Sequence, residues 1–336
     1  MTTTITSRPL GRSKLQVTTM GLGAAPLGGL LGTVSPHDAA EALAVSWQGG
    51  VRFFDTAPFY GFGLSERRTG DALRPHPRDS YVLSTKVGRL LTPDPNPPGQ
   101  ENGWEKPLPF RPVYDYGYDG VRRSVEDSLQ RLGLHRVDIL LIHDIGEFTH
   151  GPGYRHHVDQ AMAGGLRALQ DLKSEGLIRA IGIGVNETAV LMEALNHGDW
   201  DCFLLAGRYT LLEQHALDDL LPACQVRGTS IICGGPYNSG LLAGGGTWNY
   251  AQAPGELIAR RDRLATVCAA HEVALPAAAL QFPLAHPAVA CVIPGARNSA
   301  EARDNLQHLV APIPPSLWAD LRDEGLLRTD APVPVP

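Results

Sequence analysis

Eight short apolar runs, separated by longer stretches of helical period, limit what this chain can fold into more than any other feature. The runs are Thr19 to Gly23, Arg52 to Asp55, Tyr81 to Lys86, Val137 to His143, Ala180 to Val185, Cys202 to Leu205, Thr229 to Cys233 and Val289 to Ile293. Val137 to Ile142 and Ile181 to Val185 lack polar alternation, as parallel strands covered on both faces do. Strands alternating with helices over 336 residues predict an α/β chain, a (β/α)8 TIM barrel that uses residues 1–336 as one domain. Ser35 before Pro36 reads as a helix N-cap with proline in the first turn, and Val121, Val125, Leu129 and Leu132 form an apolar stripe that stops at Gly133. Met162, Leu166, Leu169 and Leu172 form another before Gly176. The segment from Arg8 to Val17 reads as a small β-hairpin plugging the barrel bottom, and 330–336, rich in proline, as a loose tail.

A formal charge of -6 disfavours nucleic acid and anionic membrane partners. Five cysteines without a Cys-x-x-Cys pair suit a reducing cytoplasm. Met1 to Ser7 shows no secretory signal, and no apolar run approaches the ~18 residues of a membrane helix. The histidines from His135 to His157 match no metal spacing, so no metal is expected. Gly21-Leu22-Gly23-Ala24-Ala25-Pro26 lacks the third glycine of a dinucleotide fingerprint, which argues against a Rossmann fold.

Asp55, Lys86 and His143 each close an apolar run, and Tyr60 follows Asp55 by five residues. In a parallel barrel the loops after the strands share one face, so the four residues are expected to meet. Each alone has an ordinary structural reading as a cap, a core residue or a solvated end. Together they suit proton transfer at an oxygen whose carbon exchanges hydride. A neighbouring ammonium on Lys86 would lower the Tyr60 pKa, Asp55 would keep Lys86 charged, and His143 would hydrogen-bond the substrate oxygen. Two long loops, Val87 to Tyr118 and Gly234 to Pro254, are read as covers for substrate and cofactor.

The runs Phe53-Phe54-Asp55-Thr56-Ala57-Pro58-Phe59-Tyr60-Gly61, Ser84-Thr85-Lys86 and Leu141-Ile142-His143 resemble the aldo-keto reductase superfamily. The likeness extends through Leu10-Gly11-Arg12-Ser13, Leu64-Ser65-Glu66-Arg67 and Arg179-Ala180-Ile181-Gly182 to Ile293-Pro294-Gly295-Ala296-Arg297. The resemblance implies hydride transfer with NAD(P), Tyr60 as general acid/base, Asp55 and Lys86 as its tuning pair and His143 as orienting donor. It further implies that Gly23, Ala24, Asn186, Gly234, Gly235, Pro236, Gly240, Leu241, Gly295, Arg297, Glu301 and Asn305 contact the cofactor. Ala25, Tyr60, His143, Trp248 and Tyr250 are expected against the substrate.

Tyr81 to Leu90 and Leu205 to Gln214 are similar to the sugar-oxidising branch, aldose 1-dehydrogenases that act on L-fucose, L-galactose or D-threo-aldoses and form aldonolactones. A pyridoxal 4-dehydrogenase forming 4-pyridoxolactone belongs to the same neighbourhood and is the alternative. A nucleotide-sensing regulatory subunit with little turnover is the rival from another class. The family pattern places Gln where Ala206 stands and an aromatic near Gly234, and this chain has neither. Where NADP-preferring members carry Lys and Arg, the chain has Gly295 and Glu301, so NAD is expected over NADP, with Arg297 the one cation nearby.

Overall fold

The computed structural model describes residues 5–96, 99–101 and 103–335. Met1 to Thr4, part of the segment read above as showing no secretory signal, and the terminal Pro336 of the expected loose tail lie outside the described residues. Eight strands form the sheet: β1 (Leu22–Gly23), β2 (Phe53–Asp55), β3 (Val82–Val87), β4 (Ile139–His143), β5 (Ala180–Val185), β6 (Cys202–Ala206), β7 (Ser230–Gly234) and β8 (Val289–Ile293). Each pairs in parallel with the next, and Met20 opposite Val292 and Gly23 opposite Gly295 close β1 onto β8. The fold is a (β/α)8 barrel.

Side-chain parity decides what faces the barrel axis. Phe53, Val82, Ile139, Leu141, Cys202 and Cys291 pack with Leu10, Leu15 and Val17 of the N-terminal hairpin, whose strands Ser7–Pro9 and Gln16–Thr18 close the bottom. Phe54, Leu83, Leu140 and Ile142 point the other way and pack under the helices. With a period of two, Asp55, Lys86 and His143 share the inward parity of Phe53, Val82 and Ile139 and so emerge at the C-terminal mouth.

The helices begin and end where local chemistry dictates. The Ser35 hydroxyl accepts from the Asp38 amide to cap Pro36–Gln48, and Gly133, at φ 63°, terminates Tyr118–Leu132. The Met162 stripe is not one regular helix. Tyr154–Gln160 and Leu166–Ser174 are joined by a π turn at Ala161–Gly165, where a Cβ on Gly165 would lie 2.7 Å from the Tyr116 carbonyl. The loop from 87 to 118 is not irregular either. Arg89–Pro93 pairs with Phe110–Tyr114, and Gln100–Glu101 with Trp104–Glu105.

The expected loose tail is anchored at its start. Ala331 is buried, its carbonyl accepts from Arg322 at 2.7 Å, and Asp330 pairs with Arg328. Among the described residues no single helix is long and apolar enough to cross a membrane.

Candidate active site

The mouth of the barrel brings the four singled-out residues together. Asp55, at the end of β2, accepts from the Ser84 hydroxyl at 2.7 Å and from the Lys86 ammonium at 2.7 Å. Lys86 also donates to the Thr56 carbonyl at 2.9 Å and is almost wholly buried. After β2 the chain reverses through Gly61, Phe62 and Gly63, all at positive φ, and this turn hangs Tyr60 over the Lys86 ammonium, 4.5 Å from its ring centroid. Only glycine fits at position 61, since a Cβ on Gly61 would lie 2.2 Å from the Gly28 carbonyl. The Tyr60 and His143 rings lie edge to face at 5.9 Å.

The electrostatics differ from the expectation in one respect. Burial, and then the charge of Asp55, push the Tyr60 hydroxyl well above its ordinary pKa, whereas Lys86 was expected to lower it. The reason is geometric: both hydrogen bonds of the ammonium go to Asp55 and Thr56, and the charge it carries is largely offset by Asp55. Burial lowers the Lys86 pKa against the pull of Asp55. Burial also holds the His143 imidazole neutral, well below its ordinary value, with Arg89 and Lys86 adding to the effect.

Around His143 stand residues that sequence reasoning did not single out. Asp144, at φ 49°, places its Oδ2 3.3 Å from His143 Nε2 and 2.5 Å from the Arg89 guanidinium. Arg89 is buried and lies 3.9 Å over the Phe59 ring. The Tyr116 hydroxyl donates to the His143 carbonyl at 2.8 Å and fixes the end of β4. Phe59, Trp104 and Tyr114 join Arg89 and Asp144 around a cavity of about 320 Å³ that reaches Tyr60, Lys86 and His143. The aromatic content of the 87–118 loop was the available signal. Its hairpin pairing, which decides the residues that turn inward, was not legible.

A second, longer cleft of about 650 Å³ meets the first at Ala25, Tyr60, Asn186, Ala206 and Tyr250. It runs past Gly23, Gly234, Gly235, Pro236 and Gly240 to Gly295, Arg297, Glu301 and Asn305. A Cβ on Gly234 would lie 2.9 Å from Leu204, and one on Gly295 2.6 Å from Pro26, so glycine keeps backbone at the cleft wall in both places. A glycine-walled cleft ending on a helix start fits a dinucleotide. Asn186 donates to the Ala206 carbonyl at 3.1 Å and to the Tyr250 hydroxyl at 3.3 Å.

Several residues expected at the cofactor or substrate lie off the two cavities or are held by other groups of the protein. Ala24 and Leu241 are fully buried and line neither cavity. Trp248 also lines neither, because its indole donates to Glu213 at 2.9 Å and packs against the core. Asn305 lines the cleft, but its amide accepts from Tyr237 and donates to the Gly295 carbonyl. Both Glu301 oxygens are engaged by Arg297, one by its amide at 2.8 Å and one by its guanidinium at 2.8 Å. Among the described residues no group of three or more His, Cys, Asp or Glu side chains could hold a metal ion.

A barrel whose mouth joins a glycine-walled cleft to a cavity bearing Asp55, Tyr60, Lys86 and His143 defines an oxidoreductase. The chain belongs to the aldo/keto reductase family, whose model matches residues 19–323. It is 46% identical over 334 residues to a pyridoxal 4-dehydrogenase of Microbacterium luteolum, covering 95% of this chain and 97% of that one. A D-threo-aldose 1-dehydrogenase of a Pseudomonas species is 41% identical, with 94% and 96% covered. An aldo-keto reductase from Bacillus halodurans, solved in its holo form, superposes with a TM-score of 0.73 at 26% identity over 95% of this chain and 96% of that one. The family's chemistry uses a nicotinamide cofactor and a small-molecule substrate.

Proposed function

We propose that this chain oxidises the hydroxyl-bearing carbon of a cyclic hemiacetal to a lactone, with NAD preferred over NADP. The observation that carries the reading is the junction of the two cavities, where Tyr60 faces both and His143 faces the smaller one. Gly23, Gly234, Gly235, Pro236 and Asn186 would hold a dinucleotide whose nicotinamide accepts the hydride. Tyr60 takes the proton of the substrate hydroxyl as general base, Asp55 and Lys86 hold the hydroxyl's surroundings fixed, and neutral His143 donates to the reacting oxygen. Buried and unpaired cysteines agree with a cytoplasmic setting.

Two substrate classes are supported by different residues of the cavity lining. Asp144 and Arg89 offer a carboxylate and a guanidinium to the ring hydroxyls of an aldose such as L-fucose, L-galactose or a D-threo-aldose, in line with the 41% identical relative. Phe59, Trp104 and Tyr114 offer flat faces to pyridoxal, in line with the 46% identical one. Initial rates of NADH formation with free aldoses and with pyridoxal, each with NAD and NADP, separate them. Turnover of aldoses alone selects the first class and of pyridoxal alone the second. Tight NADH binding with no turnover of either would overturn the proposal in favour of a nucleotide-sensing role.

A further inference from the structure

Asp144 follows His143 directly, yet the proton and hydride transfers described give its carboxylate no defined partner on the substrate. Its backbone is left-handed, at φ 49°, and is held on both sides: its amide donates to the Gly184 carbonyl at 2.9 Å, and its carbonyl accepts from the Tyr116 hydroxyl at 3.1 Å. A non-glycine residue fixed in that region points to a use for its side chain.

The side chain sets a carboxylate at one particular place. Its Oδ2 accepts from the Arg89 guanidinium at 2.5 Å and lies 3.3 Å from His143 Nε2. The other ring nitrogen of His143, Nδ1, is buried, so Nε2 is the nitrogen left to meet the reacting oxygen. Asp144 and that oxygen therefore flank the same nitrogen. Arg89 is itself buried, which fixes the ion pair in the cavity lining, and its charge opposes the rise that burial imposes on the Asp144 pKa. Among the described residues that line this cavity Asp144 is the one carboxylate, since Asp55 lies behind Lys86 and is taken by Lys86 and Ser84.

A carboxylate can only accept, so beside the reacting oxygen it selects a group that donates. In a cyclic aldose the hemiacetal carbon has two oxygen-bearing neighbours. The ring oxygen accepts only, and the 2-hydroxyl, on the adjacent carbon, can donate. In pyridoxal the nearest hydroxyl is the 3-hydroxyl, which is ionised at neutral pH while the pyridine nitrogen holds the proton. That phenolate would meet Asp144 as a like charge.

We infer that Asp144 is the residue that reads the 2-hydroxyl of an aldose substrate: its carboxylate accepts the O–H on the carbon next to the hemiacetal carbon, and Arg89 holds that carboxylate in position. The inference rests on the lactone-forming reading of the cavity and adds to it the group that selects a 2-hydroxy sugar.

The test compares initial rates of NADH formation from L-galactose and L-fucose with those from their 2-deoxy analogues, in the wild-type protein, Asp144→Asn and Asp144→Ala. The quantity read is the ratio of kcat/KM between each sugar and its analogue. A purely structural defect lowers both rates alike and leaves the ratio unmoved, and the intrinsic effect of the 2-hydroxyl on the reacting carbon is common to all three proteins. In Asp144→Ala the ratio should fall by roughly 10-fold to 100-fold, the worth of one hydrogen bond to a charged group. Asp144→Asn keeps an acceptor of the same shape without the charge, so there the fall should be several-fold, and this variant decides the matter if the alanine protein does not fold. An unchanged ratio would overturn the assignment while leaving aldose oxidation intact. Turnover of pyridoxal and of no aldose would overturn it too, with lactone formation still standing. Absence of NADH formation from every sugar and from pyridoxal would instead remove the lactone reading, and the assignment with it.

Discussion

At Tyr60, burial and the Asp55 carboxylate both resist loss of the phenolic proton, and Lys86 offsets the second by holding that carboxylate. Oxidation needs the phenolate as base. A group whose proton is held more tightly releases it only at higher pH, so kcat/KM for oxidation should climb with pH through the alkaline range. Lys86→Met leaves the Asp55 charge beside Tyr60 without its counter-ion, which raises the Tyr60 pKa further. The rising limb should therefore move to higher pH as the rate falls, and a flat profile in both proteins would reject the role of the pair. At the other end of the cleft, Glu301 neutralises Arg297 by taking its amide and its guanidinium. Glu301→Arg adds one cation and frees another, so it should raise kcat/KM with NADP by roughly 10-fold or more, as for one to two charge-assisted hydrogen bonds gained. A wild-type protein that already prefers NADP would contradict the preference.

Elements decide which of these residues could be read in advance. Asp55, Lys86 and His143 were legible because each ends an apolar run, and strand parity alone turns them to the barrel axis. Arg89, Trp104 and Asp144 were not, because their direction depends on the pairings of Arg89–Pro93 with Phe110–Tyr114 and of Gln100–Glu101 with Trp104–Glu105, and on the left-handed backbone of Asp144. Trp248 failed for the reverse reason: its loop was read as a cover, but a partner on another loop, Glu213, turns the indole to the core. Trp104 packs 5.5 Å from the Tyr60 ring and walls only the smaller cavity. Trp104→Ala should raise KM for the substrate several-fold and leave NADH affinity within about twofold, since only the substrate loses an aromatic contact worth ~1 kcal/mol. An equal loss in both constants would place it elsewhere.

The motif Leu64-Ser65-Glu66-Arg67 has a purely structural use. Buried Glu66 accepts from Thr85 at 2.7 Å and from Arg131 at 2.5 Å, tying the helix Leu64–Leu73 to β3 and to Tyr118–Leu132. Arg131→Met leaves that carboxylate buried without its cation and should lower unfolding stability by about 3–5 kcal/mol in urea melts. A loss below about 1 kcal/mol would show that the pair is not what holds the helices.

For the molecule as a whole, the eight-fold alternation of runs and helices was enough to give the barrel, because parallel strands covered on both faces leave few other arrangements. The substrate was not legible to the same degree, since it depends on loops whose pairing is long-range: the cavity is lined both by Phe59, Trp104 and Tyr114 and by Arg89 and Asp144. The two cavities meet at Tyr60, and the central claim is that hydride and proton leave the substrate there. The most direct test is a single-turnover measurement of NADH formation from a cyclic hemiacetal, an aldose or pyridoxal, by the wild-type protein and by Tyr60→Phe. One hydroxyl is lost and the ring is kept, so NADH affinity should be retained while the rate of its formation falls by roughly 10²-fold to 10⁴-fold. Comparable rates in the two proteins at neutral pH would contradict the account.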